Sequence, residues 1–157
     1  MKINFIVKIL GSGFYTGYLP IAPGSWASLA GLIIYLIPGF DNPSLMIFMI
    51  SLFILIGVPV ADKFETIYGK DPKECTIDEI VGMWITLLFL PKKIWWMILA
   101  FLIWRAMDII KPYPARKLEN VKGGWGVMLD DIMAGIYSFI SIQLIIKLFK
   151  TIFLHIV

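Results

Sequence analysis

The chain has 157 residues, enough for a single domain. Apolar residues make up 59% of it and charged residues 16%, against about 45–50% and about 25% in soluble domains, so water is a poor candidate for its main solvent. The net charge of +3 is small and its basic residues are scattered, which argues against a nucleic-acid partner and suits an anionic lipid surface.

Between Lys8 and Asp41 no residue is charged, a stretch longer than the roughly 20 residues that one spanning helix needs. Gly11, Gly13, Pro20, Pro23 and Gly24 break its first part, so the helix is expected from about Ser25 to Ile37. The same glycines and prolines interrupt the apolar stretch after Lys2 and Lys8, so the N-terminus reads as retained rather than as a cleaved signal. Asp41-Asn42-Pro43 is a turn, and Ser44 to Ala61 is the cleanest span. After the polar stretch from Asp62 to Glu79, the runs Ile80–Pro91 and Ile94–Trp104 read as a helical hairpin or a re-entrant pair. Ile132–Ile146 is the last long run. Together these predict an all-α membrane protein of about four to five apolar helices, forming one domain over residues 1–157. If the N-terminus is inside and each run crosses, ten Lys and Arg lie inside and Lys92, Lys93, Lys147 and Lys150 lie outside, as the positive-inside rule expects.

On this topology Asp78-Glu79, Asp108 and Asp130-Asp131 share one face, each at the end of an apolar run. A carboxylate beside hydrocarbon is costly unless it is paired or holds a cation. The chain has one cysteine, Cys75, and one histidine, His155, so a shared site would be carboxylate-rich and suited to Mg²⁺ or Mn²⁺. Each acid also has a purely structural reading. Thr76 to Glu79 fits a capping box, and Asp78 in a first turn favours the helix dipole. Arg105 and Asp108 fit an ion pair on one helical face, and one of Asp130 and Asp131 can face water. Pro23-Gly24-Ser25 opens a helix whose free N–H groups could hold a phosphate or simply start the helix. Lys111, Arg116, Lys117 and Lys122 suit lipid headgroups in general as well as a bound substrate. Cys75 and His155 carry no assigned role.

Four blocks, Gly11–Gly31, Ile77–Leu90 (IDEIVGMWITLLFL), Arg105–Lys117 (RAMDIIKPYPARK) and Gly123–Gly135 (GGWGVMLDDIMAG), together resemble the phosphatidylglycerophosphatase A family of bacterial membrane phosphatases. Ser25 and Ala27 depart from the Thr and Gly expected in many members. The resemblance implies an all-helical fold and Mg²⁺-dependent removal of the terminal phosphate from phosphatidylglycerophosphate, an anionic phospholipid, at the cytoplasmic face of the bacterial inner membrane. Within that reading Asp78, Glu79, Asp108 and Asp131 are the candidate catalytic residues, and Glu79, Asp130 and Asp131 the candidate metal ligands. Ser25, Arg105, Lys111, Arg116 and Lys122 are the candidate substrate-binding residues.

The residue inventory agrees with metal-assisted hydrolysis, because no paired histidines, reactive cysteine or D-x-D-x-[TV] element offers a covalent route. Asp78 is the chosen acceptor for the proton of the attacking water. Arg105, Lys111 and Arg116 would neutralise the phosphates. A phosphoalcohol transferase is the main rival, since Ala115-Arg116 and Gly126 to Asp130 echo part of that motif; its first Asp-Gly is missing, and Ala134 stands where its last Asp belongs. An ion carrier fits less well, because the acids lie at run ends and not mid-span.

Overall fold

The structure is a computed structural model that describes residues 3–156, with side chains as far as Ile152. Lys2 and the side chain of His155 lie outside the described residues. Its helices are α1 (Phe5–Gly11), α2 (Pro23–Tyr35), α3 (Pro43–Tyr68), α4 (Ile77–Leu87), α5 (Ile94–Ile110), α6 (Ala115–Leu118) and α7 (Gly124–Ile156), and the described residues contain no strand.

Local chemistry sets several of the boundaries. Pro23 and Pro43 occupy first-turn positions, where a missing N–H costs nothing and a fixed φ favours the helix. Asn42 caps α3, its side chain accepting from the N–H groups of Ser44 (2.9 Å) and Leu45 (3.3 Å). Most helices run further than their apolar stretches. α3 continues past Ala61 because Phe64 turns inward and Asp62 and Lys63 turn to the exterior. α4 takes Asp78 and Glu79 into its first turn, α5 takes in Arg105 and Asp108, and α7 takes in Asp130 and Asp131. These acids therefore lie within helices; Asp78, Glu79, Asp108 and Asp131 line a shared cavity, and Asp130 pairs with Lys111.

The short helix α4 is the hub, packed against α2, α3, α5 and α7. Trp84 sits between the rings of Phe40 (5.1 Å) and Phe53 (4.8 Å) and donates its indole N–H to the Gly31 carbonyl at 3.0 Å. At its far end the Leu90 carbonyl accepts from the Tyr35 hydroxyl (2.7 Å) and the Leu88 carbonyl from the Gln143 amide (3.0 Å). Buried backbone acceptors beyond a helix end need such partners. Gly82 lets α5 approach closely, since a Cβ there would collide with the Trp104 ring.

All five apolar runs become helices, but among the described residues two are long and apolar enough to cross a membrane. These are Pro43–Tyr68, with mean hydropathy 2.5, and Gly124–Ile152, with 1.8. In each, 28% of the apolar window is buried within the molecule, so most of it faces outward. That outer surface includes Leu45, Phe48, Leu55, Leu144 and Leu148. In water such a surface would forgo about 25 cal/mol per Å² of apolar area. The 11 residues of α4 rise only about 16 Å at 1.5 Å per residue, roughly half of a 30 Å hydrocarbon layer.

The helices alternate in direction. The starts of α2 and α4, the end of α5 and the first part of α7 meet at one end of the bundle, together with the loop that follows α3. At the opposite end Lys92 pairs with Asp41 at 2.9 Å and donates to the Ile37 carbonyl at 3.2 Å.

Candidate active site

The shared end of α2, α4, α5 and α7 holds a cavity of about 330 Å³. Its acidic walls are Asp71, Asp78, Glu79, Asp108 and Asp131; Lys73 and Lys111 supply positive charge, and the rest of the lining includes Pro23, Gly24, Cys75 and Thr76. Carboxylate oxygens of Glu79, Asp108 and Asp131, one helix each from α4, α5 and α7, lie within 4.8 Å of one another. Such a set could hold a metal ion.

Two observations test whether a cation fits there. Asp131 is 4% exposed and its Oδ2 has no hydrogen-bond partner, a costly state for a buried oxygen. Arg105 supplies the local positive charge, its Nη1 lying 2.5 Å from Glu79 Oε2 and 3.0 Å from Asp108 Oδ2. Three hard oxygen donors, one of them unpartnered, fit a divalent cation of the Mg²⁺ class.

Electrostatics at the start of α4 point the same way. Burial, then the charge of Asp108, raises the Glu79 carboxyl to about 7 despite the opposing pull of Arg105. Burial, then the charges of Glu79 and Asp130, pushes Asp78 well above the usual carboxylate range. Positive charge added to the cluster would reverse both shifts. Burial also pushes the Cys75 thiol up, which removes it as a nucleophile.

The capping-box reading of Thr76 and Glu79 fails. The Thr76 hydroxyl lies 3.2 Å from that of Thr16 and makes no cap hydrogen bond, while Glu79 turns to Ser28 and Arg105. Asp78 does act on the backbone, its Oδ1 accepting from the Glu79 N–H at 3.0 Å. Asp130 stands apart from the three-carboxylate cluster: its Oδ2 pairs with Lys111 at 2.6 Å, and its buried Oδ1 has no partner. Lys111 thus reaches the cavity from the end of α5. Ser25 does not line the cavity, and Arg116 and Lys122 are exposed outside it.

Sequence reasoning missed Ser28, Trp104 and the role of Gly24. Ser28 lies 3.0 Å from Glu79 Oε2 and accepts the Trp104 indole N–H at 2.8 Å. Gly24 gives the Glu79 carboxylate room, because a Cβ at that position would run into it. Pro23 and Gly24 of that helix start line the cavity, and Ser28, one turn on, is the serine that meets Glu79.

Comparison with known proteins places the chain among relatives. Its sequence is 41% identical over 147 residues to a Bacteroides thetaiotaomicron protein with the provisional name phosphatidylinositol-3-phosphatase, covering 88% of this chain and 92% of that one. It is 39% identical over 141 residues to phosphatidylglycerophosphatase A of Escherichia coli, covering 88% and 82% of the two chains. It is 34% identical over 147 residues to phosphatidylglycerophosphatase A of Haemophilus influenzae, covering 90% of each. No solved structure matches it. The family model for phosphatidylglycerophosphatase A matches residues 9–146, a stretch that contains every cavity-lining side chain, and the chain belongs to that family.

Proposed function

We propose that the chain hydrolyses the phosphomonoester of phosphatidylglycerophosphate to phosphatidylglycerol and inorganic phosphate, using a divalent cation, Mg²⁺ or Mn²⁺. The observation that carries the metal-dependent reading is the convergence of Glu79, Asp108 and the unpartnered Asp131 from three helices. Family membership supports the lipid substrate. It also weighs against the transferase rival, whose motif residue Arg116 lies outside the cavity.

Glu79, Asp108 and Asp131 would hold the cation. Bound there, it supplies charge neutralisation at the phosphoryl oxygens and makes water more acidic. The chain's own groups do the rest. Lys111, with Arg105 once it is released from its carboxylate partners, offers N–H donors to the phosphate oxygens. Asp78 lines the same cavity and, ionised beside the bound cation, takes the proton of the attacking water. The P–O bond to the glycerol breaks as the bond from the water oxygen forms, and the leaving alkoxide takes up a proton from solvent, to which Asp78 returns the proton it accepted.

The apolar outer surface of α3 and α7 supports a multi-pass membrane protein. Lys70, Lys73, Lys111, Arg116, Lys117 and Lys122 gather near the cavity end, against Lys92, Lys93, Lys147 and Lys150 towards the other, which favours a cytoplasmic site in the bacterial inner membrane.

A second substrate, phosphatidylinositol-3-phosphate, is raised by the name of the Bacteroides relative. Phosphate release by purified protein should be faster per unit of phosphatidylglycerophosphate, vanish in excess chelator and return with Mg²⁺. Equal or greater kcat/KM on the phosphoinositide would overturn the substrate, and undiminished turnover in protein stripped of metal would overturn the mechanism.

A further inference from the structure

We propose that Ser28 and Trp104 are positioning residues that fix the Glu79 carboxylate for the cation, an assignment that rests on the metal-dependent reading above. Both side chains are fully buried, at 0% exposure. An indole nitrogen is a donor only, and the Trp104 N–H spends that capacity on Ser28 Oγ at 2.8 Å. The bond occupies a lone pair of Ser28, so its single proton must point away from Trp104. The acceptors on that side are Glu79 Oε2 at 3.0 Å and the Gly24 carbonyl at 2.9 Å. Trp104 therefore sets the direction in which Ser28 can donate.

The Trp104 ring is itself fixed. It packs against α4 at Gly82, where any Cβ would strike it. The support for Glu79 thus runs from α4 through α5 to α2 and returns to α4. Gly24 completes the arrangement by leaving space for the second carboxylate oxygen, Oε1. Groups that hydrogen-bond a ligating side chain fix its orientation, and their loss weakens metal affinity by about 10–100-fold.

The bland alternative is a buried serine that merely satisfies itself on the carbonyl one turn back. Ser138 on α7 does this, bonding the Ala134 carbonyl at 2.7 Å, and it provides the control. The test measures Mn²⁺ affinity by electron paramagnetic resonance on purified protein in detergent. Unfolding temperature and phosphate release are followed alongside. Ser28→Ala and Trp104→Phe should weaken Mn²⁺ binding about ten- to a hundredfold, Ser28→Thr should restore most of it, and Ser138→Ala should leave it unchanged. Wild-type affinity in a folded Ser28→Ala would overturn the assignment, as would equal weakening by Ser138→Ala. If Trp104→Phe does not fold, the three serine variants decide alone. Failure of the wild-type protein to bind Mn²⁺ at all would instead sink the metal-dependent reading.

Discussion

Asp131 shows what a single residue contributes here and what a sequence can say of it. It lies on α7 within 4.8 Å of carboxylate oxygens from two other helices, yet no donor reaches its Oδ2. An isosteric amide keeps the shape and removes the charge. Asp131→Asn should therefore cut turnover at least about 10²-fold, as expected when a cation that stabilises transition-state charge by several kcal/mol is lost. Asp62→Asn, at an exposed position on α3, should change little. Phosphate release per folded molecule is the measurement, and near-normal turnover in Asp131→Asn would remove the cluster from the mechanism. The acids were legible in the sequence because charge stands out against apolar runs. Ser28 and Trp104 were not, since a helical serine and a tryptophan look like ordinary core or interface residues until three helices bring them together. Thr76 and Glu79 misled for the opposite reason: their spacing satisfies a local capping pattern, but the Thr76 hydroxyl meets Thr16 and the Glu79 carboxylate meets Ser28 and Arg105 instead.

At the scale of elements, the helical runs were readable from apolar content alone, while their ends were not. Charged residues bounded the apolar runs, whereas the helices α4, α5 and α7 continue through them, and Asp78, Glu79, Asp108 and Asp131 line the cavity. The importance of α4 was also hidden, because its short run looked like half of a hairpin and not like a hub. Its close packing can be probed at Gly82. Gly82→Ala places a methyl group against the Trp104 ring, and relief requires the ring or the α4–α5 spacing to move. Overpacking of this kind costs about 1–3 kcal/mol, more than alanine gains from its helix propensity. A lower unfolding temperature in detergent is the expected result. An unchanged one would show that the ring relocates freely and that α4 and α5 are not held in register there.

For the whole molecule, the alternation of helices puts Asn42 beside the Asp41–Lys92 pair, away from the cavity, and Lys70 beside the loop that lines it. With Cys75→Ser as background, single cysteines at Lys70 and Lys117 should label from the cytoplasmic side and one at Asn42 from the other. Labelling of Lys70 and Lys117 from opposite sides would dismantle the arrangement. The five apolar helices were legible, but the short α1 and α6 and the depth of the helices were not: α2, α4 and α5 are shorter than a full crossing, and contacts between helices, invisible in one dimension, decide how they sit.

Because Glu79, Asp108 and Asp131 come from three helices spread along the chain, the cluster has a history within each molecule's synthesis. Glu79 and Asp108 are synthesised before Asp131, and Arg105, which pairs with both, is already present before α7. The arginine thus offsets one of the two negative charges of the half-built pair. On the proposed mechanism the set of oxygen donors is complete only when α7 is in place, so a chain truncated before it would lack the third donor.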